Sequence, residues 1–120
     1  MATDLNPENN SVFSQKSALF STLGSTVHLV YVNLPYKHFI SSREFNEKVK
    51  VFAKSGGSDN IEFIAGYTVE DGLTQYAEKI NADLIVVNTN ARKGLSHFLG
   101  ESISEDLANH AKLPVMTFKL

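Results

Sequence analysis

The chain has 120 residues, 42% of them hydrophobic, a formal net charge of −2 and no cysteine. That length and apolar content suit one compact domain, residues 1–120; the weak charge gives no reason to expect a nucleic acid or anionic membrane partner, and disulfides and thiolate metal sites are excluded. No apolar run approaches the roughly 20 residues of a membrane span, and Met1-Ala2-Thr3-Asp4 lacks the regions of a signal peptide, so a cytoplasmic location is expected.

Asn6-Pro7-Glu8-Asn9-Asn10 is turn-rich and hands over to a helix near Ser11. Val12, Leu19 and Leu23 fall on one face of it, with Phe13 and Phe20 beside them, and Gly24 stops it. Thr26 to Val32 has the composition of a strand, ended by Asn33-Leu34-Pro35. Ser41 and Glu44 form a capping box, opening a helix whose Phe45, Val49 and Phe52 recur at i, i+4 and i+7. Gly56 and Gly57 follow a helix and precede a strand, the wrong order for a phosphate loop, so they read as a C-cap and a turn. Ile61 to Tyr67 is the next strand, and Thr68 precedes a helix with Leu73, Tyr76, Ala77 and Ile80 on one stripe.

Leu84 to Val87 is an uninterrupted apolar run, too short for a helix and β-branched enough for a strand buried on both faces. A polar loop with two glycines and the basic pair Arg92 and Lys93 follows. Ser102 and Glu105 then make a second capping box, with Ile103, Leu107 and Ala111 as the inner stripe of a helix. Pro114 introduces a last strand, Val115 to Phe118. Strands alternating with helices imply an α/β domain, a parallel sheet with helices on both faces and right-handed crossovers.

Strand, loop and helix N-terminus together are the arrangement in which α/β proteins hold phosphates, because unpaired amides and the helix dipole point at the loop. Here Ser102, Arg92 and Lys93 are the candidates for a phosphate cradle. The competing reading is a capped helix start beside two solvated cations. His28, His38, His97 and His110 show no i, i+4 pair, so no metal site is expected. Ser96 and His97 adjoin without a Gly-x-Ser-x-Gly elbow, and no paired carboxylates stand at readable spacing. No catalytic residue is assigned, and the chain is not expected to be an enzyme.

The stretch from Ala82 to Glu105, continued by His110-Ala111-Lys112-Leu113-Pro114-Val115-Met116, resembles the C-terminal half of a universal stress protein domain. The resemblance implies an adenine nucleotide alpha hydrolase-like sheet of order 3-2-1-4-5. It matches the end of the family's central first strand to Ala2-Thr3-Asp4, so that strand is very short or missing. Three explanations stay open: a truncated copy or piece of a tandem protein, a strand supplied by a second chain, or a sheet that tolerates a stub. In nucleotide-binding members the loop carries Gly, two residues, Gly, nine residues, Gly, then Ser or Thr; laid here, those positions are Asn88, Ala91, Glu101 and Ser102. Asp4 matches the family's base-contacting acid, and Val32 the residue whose backbone meets the base.

A Cβ at Asn88 and Ala91 hinders close approach of a ligand to the backbone, less so at Asn88 because Asn tolerates positive φ. Glu101 sets a carboxylate beside the phosphate position; two like charges about 6 Å apart at a dielectric near 20 repel by roughly 3 kcal/mol. The expectation is a regulatory or protective domain with no cofactor and no tight hold on ATP. The alternative is an ATP switch, with magnesium, using Asp4, Arg92 and Ser102. The resemblance also implies a homodimer through the edge strand Val115, Met116, Thr117 and Phe118, where Lys119 could equally blunt the edge. Protein partners beyond that are unknown.

Overall fold

A computed structural model of the chain describes residues 1–89 and 112–119. Asn6 opens a 3-10 turn, Pro7–Asn9, its side-chain oxygen accepting from the Glu8 N–H at 3.0 Å. Helix α1 (Asn10–Thr22), strand β1 (Leu29–Asn33), helix α2 (Ser42–Lys54) and strand β2 (Ile61–Ala65) follow. Helix α3 (Val69–Lys79), strand β3 (Ile85–Thr89) and strand β4 (Val115–Lys119) complete the described elements.

Local chemistry sets the helix ends. The Ser41 hydroxyl accepts from the Glu44 N–H at 3.2 Å while the Glu44 carboxylate accepts from the Ser41 N–H at 2.9 Å, the reciprocal capping box expected at α2. Those bonds to Ser41 hold the Glu44 carboxyl below its ordinary value. Thr68 caps α3 through the Asp71 N–H at 3.1 Å. Beyond α1 and α2 the chain turns through the left-handed glycines Gly24 (φ 84°) and Gly56 (φ 99°).

β1 and β2 pair in parallel from Leu29↔Ile61 to Asn33↔Ala65, and β3 and β4 from Ile85↔Val115 to Thr89↔Lys119. Met1 to Thr3 run between the two pairs. The Ala2 N–H donates to Val86 O at 2.9 Å, the Thr3 N–H to Val30 O at 2.9 Å, and the Val30 N–H to Met1 O at 3.0 Å. The sheet therefore reads β2-β1-stub-β3-β4, the expected 3-2-1-4-5 order with the stub as first strand. A single β-bridge, Ala2↔Val30, is the regular pairing the stub makes among the described residues.

Alternation along β1 divides the core between two faces. Val30, Val32 and Leu34 pack with Leu73 and Ala77 of α3 and with Ile85 and Val87. Leu29 and Tyr31 face Phe13 of α1 and Phe45 and Phe52 of α2 on the other side. Phe45 stacks on Phe63 with centroids 4.3 Å apart, and Phe13 meets Phe52 edge-on at 6.1 Å.

Three expectations need correction. The inward face of α1 is Phe13 with Asn10, whereas Leu19 and Leu23 are 51% and 71% exposed. The helix docks through polar groups: Asn10 Nδ2 donates to Phe52 O at 3.0 Å and to Ser55 Oγ at 2.8 Å, and Ser14 Oγ donates to Gly56 O at 3.2 Å. β1 begins at Leu29 and not Thr26, because the stub starts level with His28, its Met1 nitrogen donating to His28 O at 2.7 Å. β2 stops at Ala65, short of Tyr67: the Gly66 N–H closes the ladder on Asn33 O at 3.2 Å before the chain turns into α3. His28 precedes β1, its Nδ1 lying 3.3 Å from the Tyr76 hydroxyl. The helix expected after Ser102 lies outside the described residues.

Candidate functional site

In an open parallel sheet, ligands bind beyond the carboxyl ends of the strands, where the order reverses. Here that place lies between the stub and β3, and the residues Thr3 to Asn6 form one wall. Three side-chain oxygens in succession accept from the main-chain N–H two positions on: Thr3 Oγ1 from Leu5 at 3.1 Å, Asp4 Oδ1 from Asn6 at 3.1 Å, and Asn6 Oδ1 from Glu8 at 3.0 Å. Leu5, at φ 61°, turns the chain between them and is buried in the aromatic core. Asp4 thus ends the stub and opens a turn, and its carboxylate is already engaged.

Asn88 forms the opposite wall. Its side chain is 0% exposed, with Nδ2 reaching Ala2 O at 3.5 Å. Its Oδ1 is buried without a hydrogen-bond partner among the described residues. Val32 is buried in the first core cluster, its Cγ1 facing Gly72 of α3. Sequence reasoning missed Asn33, which is buried at the carboxyl end of β1. Its amide folds the following loop back on itself, Nδ2 donating to Ile40 O and Oδ1 accepting from the Ile40 N–H, both at 3.0 Å. The signal for it in the sequence is an Asn closing a strand ahead of Leu34-Pro35, a pattern that also fits a plain strand terminator.

Burial raises the Asp4 carboxyl above its ordinary 3.8, opposed by the N–H groups of Asn6 and of Asp4 itself, by the Lys48 charge and by the Asn9 side chain. A raised carboxyl means the folded chain keeps a proton that the unfolded chain has already released. Stability therefore falls as pH rises through the window just above 3.8 and levels off beyond it. Asp4→Asn is expected to flatten that slope, and urea midpoints collected from about pH 4 to 6 check it. Identical slopes in the two proteins would overturn the assignment.

The structure brings Asp4, Val32 and Asn88 to one end of the sheet; Ala91, Arg92, Lys93, Glu101 and Ser102 lie outside the described residues. No group of three or more His, Asp or Glu side chains is placed to hold a metal among the described residues. β4 pairs with β3 and with no other described strand, and Met116 is 44% exposed on it. The Ile85 N–H donates to Pro114 O at 3.0 Å. By the alternation of a parallel ladder, Met116 and Phe118 then turn their N–H groups toward β3 and Thr117 turns its own outward. No described helix is long and apolar enough to cross a membrane.

Residues 36–119 match the Universal stress protein family. A universal stress protein of Methanocaldococcus jannaschii is 33% identical over 78 residues, covering 64% of this chain and 45% of that protein. The chain thus spans a little under half the length of that relative. Among solved structures, a universal stress protein in complex with cAMP superposes with a TM-score of 0.60 at 17% identity, over 98% of this chain and 92% of that one. A universal stress protein from Archaeoglobus fulgidus superposes at 0.59 with 18% identity, over 97% and 93%.

Proposed function

The chain belongs to the universal stress protein family, and from that premise we propose that it is a regulatory or protective domain without catalytic chemistry that does not bind ATP tightly. The observation that carries this reading is the complete burial of Asn88, which the resemblance sets at the first loop glycine of nucleotide-binding members. Its amide lies against the stub, with Nδ2 reaching Ala2 O, and the side chain offers no exposed surface of its own for a ligand to touch. The engaged carboxylate of Asp4 and the buried Val32 support the same reading. Thermal melts with and without ATP and magnesium are expected to coincide. A ligand at a hundred times its dissociation constant would add about 2.7 kcal/mol, an unmistakable rise in Tm.

A nucleotide switch is the second reading, favoured by the neighbour solved with cAMP and by the buried Asn88 Oδ1 that lacks a donor. A cAMP arm in the same melts separates the two, since a rise with either nucleotide would replace the first reading by the second. The assembly we propose is a homodimer through the free edge of β4. Thr117→Pro removes an outward N–H and spares those donated to β3, so light scattering is expected to show the monomer mass. An unchanged mass would place the contact elsewhere.

A further inference from the structure

Two loops leave the carboxyl ends of the neighbouring strands β1 and β2, and both hold aromatic side chains out in water. After β1, Tyr36 is 90% exposed and Phe39 64%; after β2, Tyr67 is 79% exposed. The loops start side by side, because the Gly66 N–H donates to Asn33 O where the ladder ends. One large exposed apolar side chain is ordinary, whereas three on adjoining loops are a mark of contact surfaces.

The loop after β1 is held in one shape. The buried Asn33 donates to Ile40 O and accepts from the Ile40 N–H, so a single side chain closes the span from Leu34 to Phe39. Pro35 fixes its own φ ahead of Tyr36. His38 stands at φ 55°, a left-handed backbone that a residue other than glycine adopts at a cost. A buried amide and a strained residue thus hold in place two rings that fill no part of the core. Rings fixed in advance lose little further freedom when a partner closes on them, and tyrosine is enriched at the centres of interfaces.

We propose that these loops are a docking surface for a segment of a partner protein, one that carries a carboxylate between two apolar anchors. The anchors meet Tyr36 and Phe39, three positions apart, and the carboxylate meets Lys37, the exposed cation between them. Lys37 forms no ion pair with a described residue. A polyanion fits less well. Glu70 and Asp71 follow Tyr67 in the first turn of α3, and a phosphate backbone or anionic membrane laid across both loops would meet those carboxylates. Asp4, Val32 and Asn88 are not part of this surface, so it stands or falls apart from the nucleotide question.

The test selects peptides from a random-peptide phage library on the full chain and measures their synthetic forms by fluorescence anisotropy. The selected sequences are expected to share an acidic residue flanked by aromatic or large aliphatic ones. Affinity is expected to fall about tenfold or more with Lys37→Glu, and likewise with Tyr36→Ser and Phe39→Ser together. The Tm of each variant is expected to stay with that of the unaltered chain, since the replaced side chains lie in water. Enrichment without that pattern, no enrichment, or peptides that bind the variants unchanged would overturn the proposal. Binding of a single-stranded oligothymidylate or of phosphatidylserine vesicles, lost with Lys37→Glu, would overturn it in favour of a polyanion surface. A marked fall in Tm for the double serine variant would overturn it too, by giving the rings a structural role.

Discussion

Phe52→Ala is expected to remove about 3–5 kcal/mol of stability, a large share of the about 5–15 kcal/mol a domain of this size possesses. Phe52 is 0% exposed and meets Phe13 edge-on in the aromatic cluster. Its carbonyl also receives both the Asn10 amide and the Ser55 hydroxyl, at 3.0 and 2.8 Å, where α1 is tied to the end of α2. The ring cannot readily be replaced by inward collapse, because Gly57 already lies against it: a Cβ there would come within 2.6 Å of the ring carbons. Urea denaturation gives the loss directly. A value under about 1.5 kcal/mol would mean that Tyr31, Phe45 and Phe63 close the gap.

Gly66→Ala is the second large effect, expected to cost about 2–3 kcal/mol. A Cβ at Gly66 would lie 2.8 Å from Thr68 O and 2.9 Å from the Cα and N of Gly72. All three are main-chain atoms at the start of α3, so the helix must move off β2 to admit a methyl group. Gly72→Ala makes the informative comparison. Its Cβ would meet a side chain, Val32 Cγ1 at 2.8 Å, and the exchange gains about 1 kcal/mol of helix propensity. Thermal melts should therefore rank Gly66→Ala well below Gly72→Ala. Equal losses would place the close contact at Val32 and not at the backbone.

How legible these features were depended on where their chemistry lay in the sequence. The α2 capping box could be read because Ser41 and Glu44 are three residues apart and act on each other. The stripe of α3 could be read because Leu73 and Ala77 repeat at helical spacing and both are buried. On α1 the same method chose Leu19 and Leu23, since apolar periodicity assigns no weight to an asparagine. The residue that seats the helix is Asn10, whose partners Phe52 and Ser55 lie more than 40 positions away. Asn33 escaped for a related reason: its value rests on two bonds to Ile40, which no local pattern announces. The stub posed a question that composition could not answer, because its partners, Val30 and Val86, become neighbours only once the sheet exists. Asp4, Val32 and Asn88 are candidates through resemblance alone; their contacts with the stub and the core come from three-dimensional packing that no local pattern announces.

The stub also fixes an order of events. Its two partners on the neighbouring strands, Val30 and Val86, follow Ala2 only much later in the sequence. Without the stub the β1–β2 and β3–β4 pairs share no main-chain hydrogen bond among the described residues, although their side chains meet in one core. The halves are sewn together by a seam a few bonds wide, closed last and over the longest sequence separation in the sheet. Amide exchange is therefore expected to be faster along that seam than along the ladders on either side of it.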